Sequence, residues 1–332
     1  MASAGEKVLV IDAPGGGYVE VPDIETEVIG AHGEVRLEII SDGDLEPLYA
    51  AEPELIILWH RVALDAAFFD RIKTCRAVIC ASVGYDHVDI AAARRNDVAV
   101  YYVPDYGTEE VADHTLALGL SLARRLPALD GHVRDGGWDW RAIGPARRLR
   151  DRVWGIVGLG RIGTAVALRA RALGMRVAFY DPYNHPGIEK GLGYRRAHTL
   201  TALLAEADIV SLHVPLTRET RHLLGDNELA AMKDDAVLVN TARGPVIDLD
   251  ALRTALAASR PGYVGLDVVD GEPRIPQWLS AHPRALLTPH AAFYSVESLT
   301  ELRTRAAEAA RQLLTGAQLT SAIPVPATNF DD

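Results

Sequence analysis

Cysteine is scarce in this sequence, with Cys75 and Cys80 the only two in 332 residues. A disulfide framework or a zinc site needs more ligands at recognisable spacing, so neither is expected. Both thiols belong with the packing around the apolar run Arg76-Ala-Val-Ile-Cys80. Positive charge is also in deficit. A formal net charge of −11 argues against nucleic acid as a partner, because phosphate-backbone binders gather Lys and Arg. The nearest basic clusters, Arg124-Arg125 and Arg147-Arg148-Leu-Arg150, read as a solvated face. No apolar run reaches the length of about eighteen residues that a membrane span needs. Met1-Ala-Ser-Ala-Gly-Glu-Lys7 leads straight into a short apolar strand, without a signal-peptide core. The expectation is a soluble protein in a reducing cytoplasm, with no membrane partner. The histidines fall at no metal-ligand spacing, so no metal is expected.

What is present is an ordinary globular balance, 48% hydrophobic and 24% charged, long enough for two or three domains. Lys7-Val-Leu-Val-Ile-Asp12, Leu55 to Trp59, Ala77 to Cys80 and Val98 to Tyr102 read as buried strands. Amphipathic pieces, Leu64 to Lys73 and Asp89 to Arg95, lie between them. Such alternation indicates βα units around a parallel sheet. A long helix is expected from about Thr108 to Arg125, stopped by Pro127, and Gly136 to Arg150 reads as an exposed connection. A second series then supplies six strands: Val153 to Gly158, Val177 to Asp181, Ile209 to His213, Ala236 to Asn240, Tyr263 to Asp267 and Ala285 to Thr288. Helices at Gly163 to Leu173, Leu200 to Glu206, Asp226 to Met232 and Asp248 to Ala258 separate them. Six strands in this rhythm match a doubly wound nucleotide-binding sheet. One long helix, about Ser295 to Thr315, closes the fold, and Ala322 to Asp332 reads as a tail.

The strongest local signal is Gly158-Leu-Gly160-Arg161-Ile162-Gly163, preceded by a strand and followed by a helix. Gly158 allows the tight turn, Gly160 lets a pyrophosphate approach the backbone, and Gly163 lets the helix pack close. Asp181 stands 18 residues past Gly163, at the end of the next strand. A carboxylate there binds adenosine ribose hydroxyls and repels a 2′-phosphate, so NAD is favoured over NADP. Pro14-Gly-Gly-Gly17 also follows a strand, but lacks both the spacing and the acidic residue and reads as a turn.

Three further segments lie at or just after strand ends, where doubly wound sheets place ligand groups. They are Asn240-Thr-Ala-Arg243-Gly-Pro, Gly265-Leu-Asp267-Val-Val-Asp-Gly-Glu272-Pro and Thr288-Pro-His290-Ala-Ala-Phe. Taken singly, Arg243 could be a surface cation, Glu272 a loop carboxylate and His290 a satisfied loop histidine. Together with the glycine loop, these segments resemble the D-isomer-specific 2-hydroxyacid dehydrogenases. The resemblance runs from Val83-Gly-Tyr-Asp-His-Val-Asp89 through the helix after His290. It looks closest to the branch containing the C-terminal-binding-protein corepressors, on Phe179-Tyr-Asp-Pro-Tyr183, Asn240-Thr-Ala-Arg-Gly244 and Thr288-Pro-His-Ala-Ala-Phe-Tyr-Ser295.

The resemblance implies an α/β protein with two doubly wound Rossmann-like domains. A flavodoxin-like substrate domain would comprise 1–107 and 296–332, and an NAD-binding domain 108–295, joined by two hinge crossings. It implies hydride transfer between nicotinamide and a small 2-hydroxy or 2-keto acid. Arg243 would grip the substrate carboxylate, His290 would serve as acid/base and Glu272 would fix the imidazole tautomer. Asp267 would bind the nicotinamide carboxamide, with Thr241 and Ala242 along the same wall. His213, Val214 and Pro215 would border the adenine side with Thr220, and Val111 would face the nicotinamide. Val83 and Gly84 would meet the substrate carboxylate with their amides. Many relatives carry an arginine just before that loop, whereas this chain reads Cys80-Ala-Ser-Val83, which disfavours a substrate with a second anionic end unless Arg61 or Arg141 reaches in. His60 and Phe293 are further pocket candidates. The stretch from Thr108 to Arg150 is where relatives dimerise, so a homodimer is expected. Two alternatives stand beside this reading: an NAD-sensing scaffold with little turnover, and a phosphite or phosphonate dehydrogenase on the same scaffold.

Overall fold

Strands covered on both faces read as near-continuous apolar runs, and Leu55–Leu58, Ala77–Cys80 and Val153–Val157 are buried and apolar throughout. In a computed structural model, which describes residues 6–15, 17–41 and 43–325, the chain divides into two compact units. One comprises Met1–Tyr106 with Ser295–Asp332, the other Gly107–Tyr294.

In the first unit, strands β1 (Glu6–Asp12), β2 (Gly33–Ile39), β3 (Leu55–Leu58), β4 (Ala77–Cys80) and β5 (Ala99–Tyr102) form a parallel sheet. Its order is β2-β1-β3-β4-β5, the flavodoxin-like arrangement, and the short strand Ile323–Pro324 adds antiparallel to β5. Both β3 and β4 are buried at every residue. The edge strand β2 holds only half-buried and exposed residues and was not expected from the sequence; Glu34, Arg36 and Glu38 dilute its apolar signal. The long helix Val296–Thr315 begins with Ser295 accepting the Ser298 amide and ends at Gly316 in the left-handed region. It is locked to the helix Asp23–Ile29 by Arg303, whose guanidinium pairs with buried Glu25 at 2.6 Å. Of the expected tail, only Ala322 to Val325 is described; its remainder, the first five residues and Gly16 of the Pro14–Gly17 turn lie outside the described residues.

The second unit is a fully parallel sheet of seven strands. These are β6 (Val153–Val157), β7 (Arg176–Tyr180), β8 (Arg195–Arg196), β9 (Ile209–Leu212), β10 (Val237–Asn240), β11 (Tyr263–Leu266) and β12 (Ala285–Leu287). The order β12-β11-β10-β9-β6-β7-β8 reverses direction between β6 and β9, which makes the carboxyl end of β6 the topological switch point. Six strands were expected; the seventh, Arg195–Arg196, is a two-residue charged edge. The helix Thr108–Ala123 ends before Pro127, because Arg125 takes a left-handed conformation at φ 58°. Pro127 therefore does not stop that helix. It sits in the first turn of a new one, Leu126–Arg134, where its missing N–H costs nothing. The 108–123 helix lies flush on the sheet, since a Cβ at Gly119 would fall 2.7 Å from the Trp154 ring and one at Gly265 3.1 Å from Leu118. Both cysteines are buried free thiols, and burial pushes Cys75 up to about 12. No helix among the described residues is long and apolar enough to cross a membrane.

Candidate active site

The turn after β6 is built by its glycines. Gly158 has φ 88°, and a Cβ there would meet the His213 carbonyl oxygen at 2.8 Å. A Cβ on Gly163 would lie 2.1 Å from the Gly158 oxygen, so only glycine brings the helix Arg161–Ala172 this close. Gly160 is different: a Cβ there would meet nothing within 4 Å. Its bareness serves no packing contact and leaves open space over the helix N-terminus. No side chain caps that terminus, so its first amides are free to meet an anion. A dinucleotide pyrophosphate fits this cradle. Arg161 is exposed beside it and Ile162 is half-buried.

On one side of the turn, Asp181 directly follows β7. Its carboxylate accepts from the Leu159 amide at 2.9 Å, the Tyr183 and Asn184 amides at 2.9 and 3.2 Å, and the Asn184 Nδ2 at 2.8 Å. The carboxylate thus holds both the glycine loop and its own loop. On the other side, Trp154 Nε1 donates to Ser211 Oγ at 2.9 Å, and Ser211 lies 2.8 Å from His213 Nε2. Indole can only donate, so Ser211 accepts from Trp154 and sits between the two rings. Burial holds His213 down at about 3, which keeps it neutral. Val214 packs against the core, and Thr220 donates to the Pro215 oxygen at 2.6 Å, closing the turn between them. Tyr183 and Glu219 touch between the loops that follow β7 and β9.

The ends of β10, β11 and β12 bring three candidate side chains together. Buried Asn240 shapes the first loop, accepting from the Ala242 amide at 3.0 Å and donating to the Arg243 oxygen at 2.8 Å. A Cβ on Gly244 would lie 2.2 Å from the Val269 carbonyl carbon, so glycine lets the Arg243 loop abut the loop that carries Glu272. Arg243 Nη1 donates to the Ala242 oxygen at 2.8 Å. Glu272 Oε2 accepts from the Val269 amide at 3.1 Å, and Oε1 stands 2.5 Å from His290 Nδ1. Burial pushes the Glu272 carboxyl up, but the His290 hydrogen bond and charge, the Val269 amide and the Arg243 charge together carry it below its ordinary range. His290 itself has φ 54°, a left-handed conformation uncommon outside glycine.

Asp267, 2% exposed, explains how that conformation is held. Its carboxylate accepts from Thr288 Oγ1 at 2.6 Å and from the Ala291 and Ala292 amides at 2.9 Å each. Its backbone oxygen accepts from the His290 amide at 2.8 Å. Asp267 therefore clamps the loop carrying His290, with less capacity left for a nicotinamide carboxamide than the sequence suggested. Thr241 is tied to Thr115 at 2.7 Å, and Val111, 9% exposed, lies one turn before Thr115. The sequence assigned no individual role to Asn240, Thr288, His114 or Thr115. A threonine two residues before both Arg243 and His290 is the one signal that could have found two of the contacts.

In the first unit, Val83 and Gly84 follow β4 in a loop braced by Ser82 Oγ, which donates to the Gly84 oxygen at 2.5 Å. Tyr18 stacks on Trp59 at 4.7 Å, with His60 and Arg61 beside it; Arg61 Nη1 donates to the Gly15 oxygen at 3.1 Å. Arg141 is spent on Asp139 and the Trp140 ring, and Phe293 is buried. Among the described residues no group of three or more His, Cys, Asp or Glu is placed to hold a metal.

A family model described as "D-isomer specific 2-hydroxyacid dehydrogenase, NAD binding domain" matches residues 116–292. A glyoxylate reductase of Korarchaeum cryptofilum is 41% identical over 249 residues, covering 74% of this chain and 75% of the relative. One of Thermococcus gammatolerans is 37% identical over 299 residues, covering 86% and 89%. Among solved structures, a D-lactate dehydrogenase from Aquifex aeolicus complexed with NAD and lactic acid superposes with a TM-score of 0.84 at 28% identity, over 93% of this chain and 96% of that one. An NADPH-dependent glyoxylate/hydroxypyruvate reductase from Sinorhizobium meliloti gives 0.82 at 28%, over 98% of both. These relatives correct the finer resemblance drawn from sequence: they are reductases and dehydrogenases, not corepressors.

Proposed function

Because the chain belongs to the D-isomer-specific 2-hydroxyacid dehydrogenases, we propose that it reduces glyoxylate or a similarly small 2-keto acid with NADH, and catalyses the reverse oxidation. The observation that carries this reading is the His290–Glu272 pair beside Arg243, on the same sheet edge as the glycine cradle. Arg243 offers a planar fork that matches a carboxylate and keeps its charge at any working pH. With Nδ1 turned to Glu272, His290 would deliver a proton to the substrate's 2-oxygen from Nε2. The nicotinamide, when bound, supplies the hydride to the carbonyl carbon. In the oxidative direction Nε2 takes the hydroxyl proton back, and ionised Glu272 steadies the imidazolium that forms.

The pyrophosphate belongs on Gly158, Gly160 and the amides of Arg161 and Ile162, and the adenosine ribose beside Asp181, whose charge favours NAD. His213 to Pro215 and Thr220 would line the adenine side, and Val111, Thr241, Ala242 and Asp267 the nicotinamide side. Val83 and Gly84 would add amides to the substrate carboxylate. The absence of an arginine in Cys80-Ala-Ser-Val83 favours a substrate with one anionic end. A second copy of the chain completes the reading. Leu126, Val133, Trp138 and Trp140 stand out to solvent, Trp138 at 90% exposure, within the stretch assigned to dimerisation.

The test is NADH oxidation followed by absorbance against glyoxylate, hydroxypyruvate, pyruvate and phenylpyruvate. Glyoxylate turnover that falls about 10²- to 10⁴-fold in His290→Ala is expected, the usual span for loss of a general acid. Equal turnover in the variant would remove His290 from the chemistry. Turnover of phosphite with NAD, and of no keto acid, would replace the substrate class.

A further inference from the structure

Two residues in this chain stand in the same relation to the two loops. Thr241 precedes Arg243 by two positions, and Thr288 precedes His290 by two. Both hydroxyls are bonded to neighbouring residues of the 108–123 helix. We propose that His114 and Thr115 are positioning residues, which hold the loops of His290 and Arg243 in register with each other. The proposal rests on the reading above of those two side chains as acid/base and carboxylate clamp.

The donor logic fixes both contacts. Thr115 is fully buried and donates its proton to the Val111 oxygen at 2.7 Å, so at 2.7 Å from Thr241 it must accept. Thr288 donates its single proton to Asp267 at 2.6 Å, so at 2.9 Å from His114 it accepts from Nε2–H. The same His114 nitrogen lies 3.7 Å from the Asp267 carboxylate, which places the ring on the flank of a buried anion. Each bond is an anchor only if the helix cannot slide. Gly119 against Trp154 and Gly265 against Leu118 seat it without slack on β6 and β11.

The geometry also shows what would be lost. His290 occupies a left-handed conformation that a non-glycine residue keeps only when its surroundings over-determine it. Those surroundings are Asp267 and Thr288, and Thr288 is fixed from behind by His114. Without that bond the loop retains its Asp267 amide contacts but has more freedom around His290, and small misplacements at a reacting centre are expensive.

The experiment compares His114→Ala, Thr288→Val, Thr288→Ser and Thr115→Val with the parent protein. The expected result is a fall in kcat of about tenfold or more for His114→Ala and Thr288→Val, on the scale of a misplaced catalytic group. NADH affinity and the keto-acid KM should stay within about threefold, with recovery in Thr288→Ser, which keeps the hydroxyl. The double variant His114→Ala/Thr288→Val should be no worse than Thr288→Val alone, because that change already removes the His114 bond along with the one to Asp267. Amide hydrogen exchange of the peptide containing Ala291 and Ala292 should speed up in His114→Ala, a readout that needs no turnover. Unchanged kcat and unchanged exchange would overturn the proposal. So would a loss confined to NADH affinity or KM, which would make His114 a binding residue. Parent protein in which His290→Ala leaves turnover intact would sink the underlying reading instead, while faster exchange would still support the anchoring.

Discussion

The Asp181 carboxylate accepts the Leu159 amide hydrogen at 2.9 Å, so the anion that directly follows β7 also fixes the middle of the glycine turn after β6. On the proposed reading, cofactor choice and loop shape are joined in one side chain. Asp181→Asn removes the charge but keeps an oxygen for that amide. It should improve NADPH use relative to NADH by roughly fivefold or more, since a like-charge repulsion at 4 Å is worth about 1 kcal/mol even in water. Steady-state KM values for both cofactors check it; an unchanged ratio would mean that Asp181 does not face the 2′-position.

The Glu272–His290 pair sets a pH dependence whose sign follows from the carboxyl. Its native value lies below the ordinary 4.5 despite the opposing effect of burial. Stability from the ionised carboxylate is therefore present above that value and is lost as pH falls through the lower native one. Thermal unfolding of wild type and Glu272→Gln should differ at neutral pH and converge in strong acid. Divergence that grows on acidification would contradict the assignment.

His213 acts over a wider interval. Its ordinary value is 6.5 and its native value about 3, so between them the unfolded chain binds a proton that the native one refuses. Stability should decline as pH drops from 6.5 toward 3. His213→Gln should flatten that slope, measurable in urea titrations at several pH values.

At Gly119 the prediction concerns packing alone. Alanine gains up to about 1 kcal/mol over glycine in a helix, but overpacking typically costs about 1–3 kcal/mol. The Trp154 ring that Gly119→Ala would strike is fully buried and tied by its indole nitrogen to Ser211, so it has nowhere to yield. A net loss of about 1 kcal/mol is expected, or about 2–4 °C in Tm for a unit of this size. A rise in Tm would show that the helix has room to lift.

Much of this was legible from residue order because buried parallel strands and glycine turns leave local marks. The runs at β3, β4 and β6 are apolar on both faces, and Gly158 and Gly163 each answer a local steric demand. Edges left weaker marks. β2 has charges on alternate residues, and Arg195–Arg196 is too short and too polar to announce itself. Pro127 was read as an end when it is a beginning, because proline is tolerated in a first turn and Arg125 supplies the break. Arg243, Glu272 and His290 were identifiable as candidates by their place after strands. Their supports were not, since Thr115 meets Thr241 across 126 residues and His114 meets Thr288 across 174. No periodicity encodes such contacts.

The order of the seven-stranded sheet has a consequence for anyone wishing to redesign this molecule. The loops after β7 and β9 flank the glycine turn, while those after β10, β11 and β12 lie beyond β9. Sequence libraries built at 181–184 and 214–220 would therefore explore cofactor preference without touching the Asn240, Asp267 and Thr288 scaffolding. Libraries built on the other group of loops would leave the Asp181 contacts as they are, so the two searches can proceed separately and their winners be combined.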